Sequence, residues 1–339
     1  MSRPGIARKI AAQNRALAEG YRVRRVCVVP DIASQVLRLV GRFWNELLAI
    51  LRTLRCDAVY YRYSPVLVML NPALWIISRF RPVWVEYNSV YRGELALVAP
   101  AAARLHAWSM FWLRHSRARH LPINREIGIE EGLNGNVQVL GNGWDSPSQS
   151  VSVELAEDHC QKLGELSKQY RPLGVFVAGD NAAWHGFDRI LKVVDQHQFG
   201  LILVGPRQEG ELVDLLTERQ QLVQLGYLEP AALPAVYSFA DFGFGTFALD
   251  RKNQKEACPL KVRDYLTSGL RVVINYADPL LDVPWASPFL YQYEKDKAKT
   301  LLAFLNSPYD RDRLAEEACE RLDWVALFAE VGVLGGAGA

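Results

Sequence analysis

The stretch that decides the fold reads Glu256-Ala-Cys-Pro-Leu-Lys-Val-Arg-Asp264, followed by Tyr265-Leu-Thr-Ser-Gly-Leu-Arg-Val-Val-Ile-Asn275. Pro259 and Leu260 predict the start of a helix, because proline is favoured in a first helical turn and the helical pattern then runs to a glycine stop. Glu256 should therefore lie in the loop before a helix N-terminus, and Asp264 one turn inside the helix. The free N–H groups and partial positive charge of such an N-terminus favour a bound diphosphate.

Apolar, strand-like runs alternate with helical patterns along the whole chain. The predicted strands are Arg22–Val29, Asp57–Tyr63, Pro82–Asn88, Arg119–Asn124, Val137–Asn142, Leu173–Ala178, Gly200–Gly205, Val223–Leu228, Asp241–Phe247 and Arg271–Asn275. The predicted helices are Ile6–Glu19, Ala33–Leu54, Leu95–His115, Phe187–Gln196, Glu209–Gln220, Ala231–Phe239, Lys261–Ser268, Asp296–Asn306 and Asp310–Val331. Such alternation with short loops predicts parallel sheets covered by helices on both faces. The fold class is therefore α/β, with two Rossmann-like doubly wound domains.

Length and composition fit a globular protein with two cores. The chain has 339 residues, of which 50% are hydrophobic and 22% are charged. It has no uninterrupted apolar run of about 18 residues, and its start does not read as a signal peptide, so we expect a cytoplasmic protein. The five cysteines are scattered without a zinc or redox motif, which suits a reducing compartment.

A domain boundary is expected after Gly141-Asn-Gly-Trp-Asp145. The Ser-Pro-Ser-Gln-Ser-Val-Ser segment that follows has the composition of a linker. We therefore expect a first domain over residues 1–145, a second domain over residues 146–309, and a terminal helical segment with a tail over residues 310–339.

Several motifs together resemble family 4 of the retaining glycosyltransferases, which have the GT-B fold of two Rossmann-like domains facing a central cleft. Glu256 and Asp264, around a Pro-Leu helix start, are similar to the Glu-x7-Glu signature of that family. Asn142-Gly-Trp-Asp145 is similar to its Asn-Gly-x-Asp signature at the domain junction. The likeness covers nearly the whole chain. It implies transfer of a sugar from a nucleotide-diphosphate donor, and a terminal helix that crosses back to the first domain.

The resemblance places the nucleotide-sugar donor mainly on the second domain. It implies that Glu256 touches the donor sugar and that Asp264, one methylene shorter than the glutamate of the family, holds the ribose. His185 stands in a turn where many members carry an Arg and a Lys, so we expect Lys261 or Arg263 to neutralise the diphosphate. The other donor contacts implied are Gly5 in a glycine loop before the first helix, Gly205 and Tyr227 beside the base, and Pro259 and Leu260 at the helix start.

The resemblance places the acceptor on the first domain. Tyr60-Tyr-Arg-Tyr63 and Val85-Glu-Tyr-Asn88, with a later Glu94, match a subset of the family. Polar groups at the carboxyl ends of strands lie where open α/β sheets bind ligands. Arg62, Glu86 and Asn124 are therefore predicted to bind the acceptor, and Asn88 and Glu94 to act in catalysis with Glu256 and Lys261. The expected acceptor is a glycan, free or lipid-linked, in surface polysaccharide or glycoconjugate synthesis.

The expected chemistry uses no metal and no cofactor. In a GT-B site, helix-terminal N–H groups and basic side chains stabilise the leaving diphosphate. Two other classes of function stay open. The shorter Asp264 and the missing Arg/Lys pair favour a non-catalytic GT-B protein that binds a nucleotide sugar or a partner, and an epimerase of nucleotide sugars is the third reading. Nucleic acid is disfavoured as a partner, because the basic residues alternate with long apolar helices.

Charge and tryptophan are distributed unevenly. The formal charge is +10 through Asp145 and −8 beyond it, and six of the nine tryptophans lie in the positive part. The segment Ala33–Leu54 joins an apolar stripe to a set of cations, namely Val36, Leu37, Val40, Trp44, Leu47, Leu48 and Leu51 with Arg38, Arg42, Arg52 and Arg55. This combination predicts that the first domain docks on an anionic membrane surface, at the inner face of the cell membrane.

Overall fold

The computed structural model describes residues 4–25, 35–65, 67, 69–92, 100–145, 154–294 and 298–335, without the side chains of 4, 35–43, 100–102 and 298. The chain divides into two compact units, each assembled from two segments. The six-stranded unit consists of Met1–Gln13 and Asn142–Ala326, and the three-stranded unit consists of Asn14–Gly141 and Leu327–Ala339. The domain limits predicted at residues 145 and 309 stay a prediction.

The three-stranded unit contains a parallel sheet whose described strands follow one another in chain order. These strands are β1 (Val59–Arg62), β2 (Val83–Tyr87) and β3 (Arg119–Pro122). All five residues of β2 are buried, as expected for the central strand of a sheet covered on both faces. The helices in this part of the chain are α1 (Pro4–Gly20, which contributes to both units), α2 (Gln35–Thr53), α3 (Leu70–Ile77), α4 (Pro100–Arg114) and α5 (Arg125–Glu130).

The six-stranded unit contains a parallel sheet in the order β6-β5-β4-β7-β8-β9. The strands are β4 (Leu173–Val177), β5 (Gly200–Val204), β6 (Leu222–Gln224), β7 (Phe242–Phe244), β8 (Arg271–Ile274) and β9 (Leu290–Gln292). The helices are α6 (Glu157–Gln169), α7 (Phe187–His197), α8 (Glu211–Glu218), α9 (Leu233–Tyr237), α10 (Leu260–Thr267), α11 (Ala298–Asn306), α12 (Arg311–Leu322) and α13 (Trp324–Glu330, which contributes to both units). Val175 and Phe176 belong to separate buried clusters. Helices therefore cover both faces, and the predicted doubly wound architecture is confirmed.

Two of the strands predicted in the three-stranded unit are not confirmed by the structure. The segment Val137–Asn142 makes a single parallel bridge, between Val137 and His120, instead of a strand. The amides of Gln138 and Leu140 still donate to β3, at 2.9 Å each, but Pro122 has no N–H with which to continue the ladder. Of the strand predicted at Arg22–Val29, residues 22–25 carry no strand and the rest lie outside the described residues.

The long helix predicted at Asp310–Val331 is broken at Asp323. The amide of Trp144 donates to the carbonyl of Leu322 at 2.7 Å, which removes that carbonyl from the helical ladder. The carboxylate of Asp323 then accepts from the amide of Val325 at 2.8 Å and starts α13. A tertiary contact from the Asn-Gly-Trp-Asp segment thus decides where the helix divides. Over the part of the chain that is described, no helix combines the length and apolarity needed to cross a membrane.

Candidate functional site

The order of strands in the six-stranded sheet defines a crevice at the carboxyl ends of β4 and β7. The chain runs outward from β4 in one direction and from β7 in the other, so the loops after these two strands diverge. Open α/β sheets bind their ligands outside the strand ends at such a point. The loop after β4 carries Asp180 and His185, and the loop after β7 leads through Thr246 and Ala248 to Glu256.

Two glycines allow the loops at this edge to approach one another. Gly205 follows β5 with φ of +131°, and a Cβ there would lie 2.1 Å from the carbonyl oxygen of Ala178. Gly186 has φ of +68°, and a Cβ there would lie 2.6 Å from the amide nitrogen of Ala248. Any larger residue at either position would force the backbones apart. Gly205, predicted beside the base, is thus placed at the expected sheet edge.

Lys261 is a buried cation at this edge of the sheet. It lies in the first turn of α10, its Nζ is buried, and no hydrogen bond reaches that atom from the described residues. The ammonium lies 4.1 Å from the ring centroid of Phe176, the residue before the last of β4. Burial lowers the pKa of Lys261 to about 7, against the raising effect of the Asp180 carboxylate. A buried cation without a hydrogen-bonded anion fits a position that an anionic ligand fills.

Asp180 and His185 form a polar pair in the turn after β4. His185 Nε2 lies 2.9 Å from Asp180 Oδ1, and the amide of Ala182 donates to the same oxygen at 3.2 Å. A pocket of about 260 Å³ opens beside this turn, and Asp180, His185, Gln208 and Arg251 are among the residues that line it. The pocket and the pair lie at the strand ends where the topology places a ligand.

Two ion pairs join the loop between β7 and α10 to the first turn of α7, directly after the His185 turn. Arg251 contacts Asp188 at 2.9 and 2.8 Å, while Arg189 contacts Asp250 at 2.7 and 2.8 Å. Arg251 lowers the pKa of Asp188, chiefly through the hydrogen bond. Lys252 lies over the ring of Trp184 at 4.3 Å. The sequence predicts a loop over Ala248–Pro259 long enough to order over a donor, and here it is already tied to the opposite turn.

Glu256 and Asp264 take different environments at the two ends of the motif. Glu256 is half-buried and makes a parallel β-bridge with Ala277, which lies in the loop after β8. Asp264 lies in α10, where one guanidinium nitrogen of Arg8 contacts its two carboxylate oxygens at 2.6 and 2.8 Å. Burial raises the pKa of Asp264, although Arg8 acts in the lowering direction. The carboxylate of Asp264, which is predicted to hold a ribose, therefore already contacts Arg8 within the protein.

Arg263 is engaged inside the protein. Its guanidinium contacts both carboxylate oxygens of Asp278, at 2.6 and 2.8 Å, and its Nε donates to the carbonyl of Asn142 at 3.2 Å. Burial lowers the pKa of Arg263, but Asp278 outweighs burial and holds it above the ordinary value. With Arg263 held in this way, Lys261 is the better placed of the two cations predicted to neutralise a diphosphate. The contact of either with a diphosphate stays a prediction.

Asn142 joins several segments in the six-stranded unit. Lys9 donates to its side-chain oxygen, while its side-chain nitrogen donates to the carbonyl of Cys258. Its amide donates to Cys258 Sγ at 3.0 Å, and burial raises the pKa of that thiol to about 11. Next to it, a Cβ on Gly143 would lie 2.7 Å from the ring of Trp324. These contacts give the Asn-Gly-Trp-Asp segment a structural role, because they join it to α1, to the loop before α10 and to Trp324.

The remaining predicted donor residues are placed as follows. Pro259 is the N-cap of α10 and Leu260 its first residue, as the sequence predicts. Gly5 lies within the first turn of α1 instead of in a loop before it, because Pro4 can begin the helix. A Cβ on Gly5 would meet Leu260 Cδ1 at an ordinary 3.7 Å, so no close approach requires a glycine there. Tyr227 is 68% exposed, after β6.

The predicted acceptor residues gather at the carboxyl edge of the three-stranded sheet. Arg62 ends β1 directly opposite Glu86 of β2, and the hydroxyl of Tyr60 donates to Glu86 Oε2 at 2.8 Å. Asn88 follows β2. Asn124 caps α5 by accepting from the amide of Ile127 at 2.9 Å, and its contact with an acceptor stays a prediction. Glu94 lies outside the described residues.

Two polar residues at these sites have no signal in the local pattern around them. Arg8 and Asp278 are far in sequence from the acidic and basic partners that they bind, Asp264 and Arg263. Asp180 follows a predicted strand, and that position was the available clue. A buried network in the three-stranded unit was also missed: His106 joins the hydroxyl of Tyr63 at 2.6 Å to the carboxylate of Glu131 at 2.9 Å. Among the described residues, no cluster of three or more His, Cys, Asp or Glu could hold a metal ion.

Comparison with known proteins shows the fold. No protein-family model and no curated protein matches the sequence. Among solved structures, the chain is similar to Anabaena Alr3699/HepE in complex with UDP, with a TM-score of 0.58 and 14% identity over 88% of this chain and 83% of that one. It is also similar to an OtsA apo structure (TM-score 0.54, 11% identity, 90% and 79% covered). A third similar structure is a putative UDP-N-acetylglucosamine 2-epimerase from Listeria monocytogenes, with a TM-score of 0.52 and 10% identity over 98% of this chain and 92% of that one. The chain therefore has a GT-B-type fold with two Rossmann-like domains.

Proposed function

We propose that the protein is a glycosyltransferase that uses a nucleotide-diphosphate sugar as donor. The observation that carries this proposal is the buried ammonium of Lys261, which no hydrogen bond satisfies from the described residues. It lies in the first turn of an eight-residue helix that begins beside the switch point of a Rossmann-type sheet. A ligand with negative charge at this place would meet both the ammonium and the free N–H groups of the helix start. Alr3699/HepE, of the same fold, holds UDP.

The chemistry requires stabilisation of the leaving group. When a sugar leaves a nucleoside diphosphate, negative charge grows on the diphosphate and positive charge develops at the anomeric carbon. A cation and helix N–H groups that are already in place stabilise the first of these charges. In the proposal Lys261 faces the diphosphate, Glu256 the donor sugar and Asp264 the ribose, while His185, Gly205 and Tyr227 line the remainder of the nucleotide site. Arg263 acts indirectly, because its ion pair with Asp278 holds α10 in place.

The finer features of the proposal follow from the family 4 likeness. We infer retention of the anomeric configuration, no metal in the reaction, and an acceptor that is a glycan or a lipid-linked glycan of the cell surface. Arg62, Glu86 and Asn124 would bind that acceptor, with Asn88 and Glu94 beside the reacting hydroxyl. The proposed cellular setting is the cytoplasm, with the donor bound by the six-stranded unit.

Thermal unfolding with added nucleotide sugars tests the donor. We expect one of UDP-, GDP- or dTDP-sugars to raise the melting temperature in a concentration-dependent way, since a ligand that binds only the folded state stabilises it by mass action. A ligand at about 100 times its Kd should add roughly 2.7 kcal/mol to the free energy of unfolding. UDP-glucose is the first donor to try, because it is bound in an Alr3699/HepE structure. No shift with any of the three nucleotides, at millimolar concentration, would contradict the proposal.

A pair of substitutions separates the roles of the two acidic residues. We expect Asp264→Ala to weaken binding of the nucleoside diphosphate about tenfold or more, because a hydrogen bond to a charged acceptor contributes about 1.5–3 kcal/mol. Glu256→Gln should lower kcat and leave that affinity unchanged. Isothermal titration with the nucleoside diphosphate, followed by turnover with the donor found above, measures both. Arg8→Ala is the matched control, since it removes the partner of Asp264 and spares the carboxylate. Unchanged affinity in Asp264→Ala would remove this residue from the ribose role.

An epimerase of nucleotide sugars is the second candidate. The Listeria epimerase structure matches this chain over nearly the whole length of both, which favours this alternative over other uses of the fold. Incubation with UDP-N-acetylglucosamine in the absence of any acceptor distinguishes the two, because only an epimerase inverts a stereocentre of the sugar under that condition, whereas a transferase can at most release the sugar to water. Binding without either reaction would identify the non-catalytic nucleotide-sugar protein.

A further inference from the structure

Three helices of the three-stranded unit expose an unusual number of large apolar side chains. α3 packs against both α2 and α4. Phe80, just after α3, is 79% exposed, and Trp108 and Phe111 on α4 are 48% and 52% exposed. The other exposed members are Trp44, Leu48, Leu51, Ile76 and Leu105. We call these eight residues the aromatic face.

The aromatic face is ordered by helical spacing and by ring contacts. On α2, Trp44, Leu48 and Leu51 are spaced four and three residues apart, so they lie on one side of the helix. On α4, Trp112 lies between the exposed rings and α3. Its ring centroid is 6.0 Å from that of Trp108, 5.7 Å from that of Phe111 and 5.3 Å from that of Trp75. The exposed rings are thus held in place by a half-buried tryptophan cluster.

The need of each helix to cover the sheet does not explain why the residues of the aromatic face are apolar. A helix in a layered domain needs one apolar stripe, which packs on the sheet. That stripe is separate and already buried here: it comprises Leu70, Leu74 and Ile77 on α3, and Met110 and Leu113 on α4. α3 and α4 therefore carry a second apolar surface that points outward. Exposed apolar patches of this kind mark sites of association with a partner or a membrane.

Among the described residues, the exposed charged side chains on these three helices, and within two positions of their ends, are all basic. The guanidinium of Arg79 lies 3.6 Å from the ring centroid of Trp75, and Arg52, Arg55 and Arg104 are exposed on the same three helices or directly after them. The sequences of α2, α3 and α4 contain a single acidic residue, Glu46. That carboxylate is buried and accepts from the amide of Leu70 at 2.6 Å, so it does not offset the surface arginines.

We propose that the aromatic face docks on an anionic lipid bilayer. Tryptophan and phenylalanine enter the region between headgroups and acyl chains, and arginines beside them pair with anionic headgroups. An anionic lipid surface accommodates both features at once, because exposed aromatic rings enter its interfacial region while arginines stay at the headgroups. The side chains of Arg38 and Arg42 lie outside the described residues, so the test below uses other cations. The proposal goes beyond the transferase activity and does not depend on it.

Co-sedimentation with vesicles tests the docking. The full chain should sediment with phosphatidylglycerol/phosphatidylcholine vesicles at low salt and stay in the supernatant with pure phosphatidylcholine. Bound protein should fall as salt rises. The double variant Trp108→Ser/Phe111→Ser should weaken binding about tenfold or more, since both side chains are exposed and contribute apolar area to the membrane. Arg79→Glu should weaken it at least about fivefold, the effect of one cation beside anionic lipid.

The control is Ile129→Ser, which removes a large apolar side chain that is 75% exposed on α5, outside the aromatic face. This variant should bind vesicles as the wild type does. A wild-type protein that stays in the supernatant at low salt would overturn the proposal, and so would equal losses in Ile129→Ser and in the double variant. Light scattering tests the remaining alternative, which is self-association of the chain through the aromatic face. A dimer that Trp108→Ser/Phe111→Ser converts to a monomer, together with no vesicle binding, would assign the face to a second copy of the chain.

Discussion

Replacement of Lys261 by methionine is expected to lower turnover roughly 100-fold or more while it stabilises the protein. Loss of one group that stabilises charge in the transition state usually costs about 10²–10³ in kcat. Methionine keeps the length and the contact with Phe176 but removes the buried charge. Because the ammonium has no hydrogen-bonding partner among the described residues, its removal should raise the free energy of unfolding at neutral pH. Donor turnover and thermal unfolding of the same two proteins measure both effects.

The pH dependence gives Lys261→Met a second readout. Burial lowers the pKa of Lys261 to about 7, so the folded protein prefers the neutral amine above that pH. The stability penalty therefore sets in as pH falls below the unfolded pKa of about 10.4, and it is complete below about pH 7. The stability gap between variant and wild type should be largest below about pH 7 and vanish above about pH 10.4. Affinity for a nucleoside diphosphate should fall as the pH rises through about 7, because the amine loses its proton.

Arg189→Ala is a useful comparison for this residue. It removes a half-exposed cation from the same region, where it pairs with Asp250 on the surface. A surface pair of this kind contributes about 0–1 kcal/mol, so Arg189→Ala should change stability little and in the opposite direction. Wild-type turnover in Lys261→Met would show that the phosphate site has been assigned to the wrong cation. A lower melting temperature for Lys261→Met would show that the amine is better solvated than its surroundings indicate.

Replacement of Arg263 by methionine is expected to have the largest effect on stability. Arg263 is 1% exposed and its partner Asp278 is 0% exposed, so the variant leaves a carboxylate in the interior without its cation. Breaking a buried pair in this way costs about 3–5 kcal/mol. Urea unfolding followed by tryptophan fluorescence measures the loss. The double variant Arg263→Met/Asp278→Asn should recover part of it, because the amide carries no charge to be compensated.

Arg219→Ala is the matched control for Arg263→Met. It breaks an exposed ion pair with Asp195, whose atoms lie 2.8 Å apart, and should cost less than about 1 kcal/mol. If Arg263 instead served the diphosphate directly, its variant would lose nucleotide affinity in proportion to the loss from Lys261→Met while remaining close to wild type in stability. That result would contradict the structural role given to Arg263 here.

The sequence alone predicted most of the architecture of the six-stranded unit. Strand–helix alternation has a local cause, since buried parallel strands are short apolar runs and the helices between them carry one apolar stripe. All five strands predicted for this region are present, four of them within the predicted limits, whereas β6 begins one residue earlier and ends four residues sooner than predicted. The helix α10 begins at Leu260, as the proline predicts. The edge strand β9 was not predicted, because its three residues are too few to show a pattern. The helix α6 was not predicted either.

Tertiary structure decided the partners of the charged residues. Within the motif, Lys261, Arg263 and Asp264 occupy neighbouring positions and look equally available in the sequence. In the fold, Arg263 turns to Asp278, Asp264 meets Arg8 across most of the chain length, and Lys261 is left buried beside Asp180. A helix points residues at consecutive positions about 100° apart, so each meets a different neighbour. Which neighbour is met depends on segments that are remote in sequence. Local propensity therefore determined the order of strands and helices, whereas packing between distant segments determined which charge remains for a ligand.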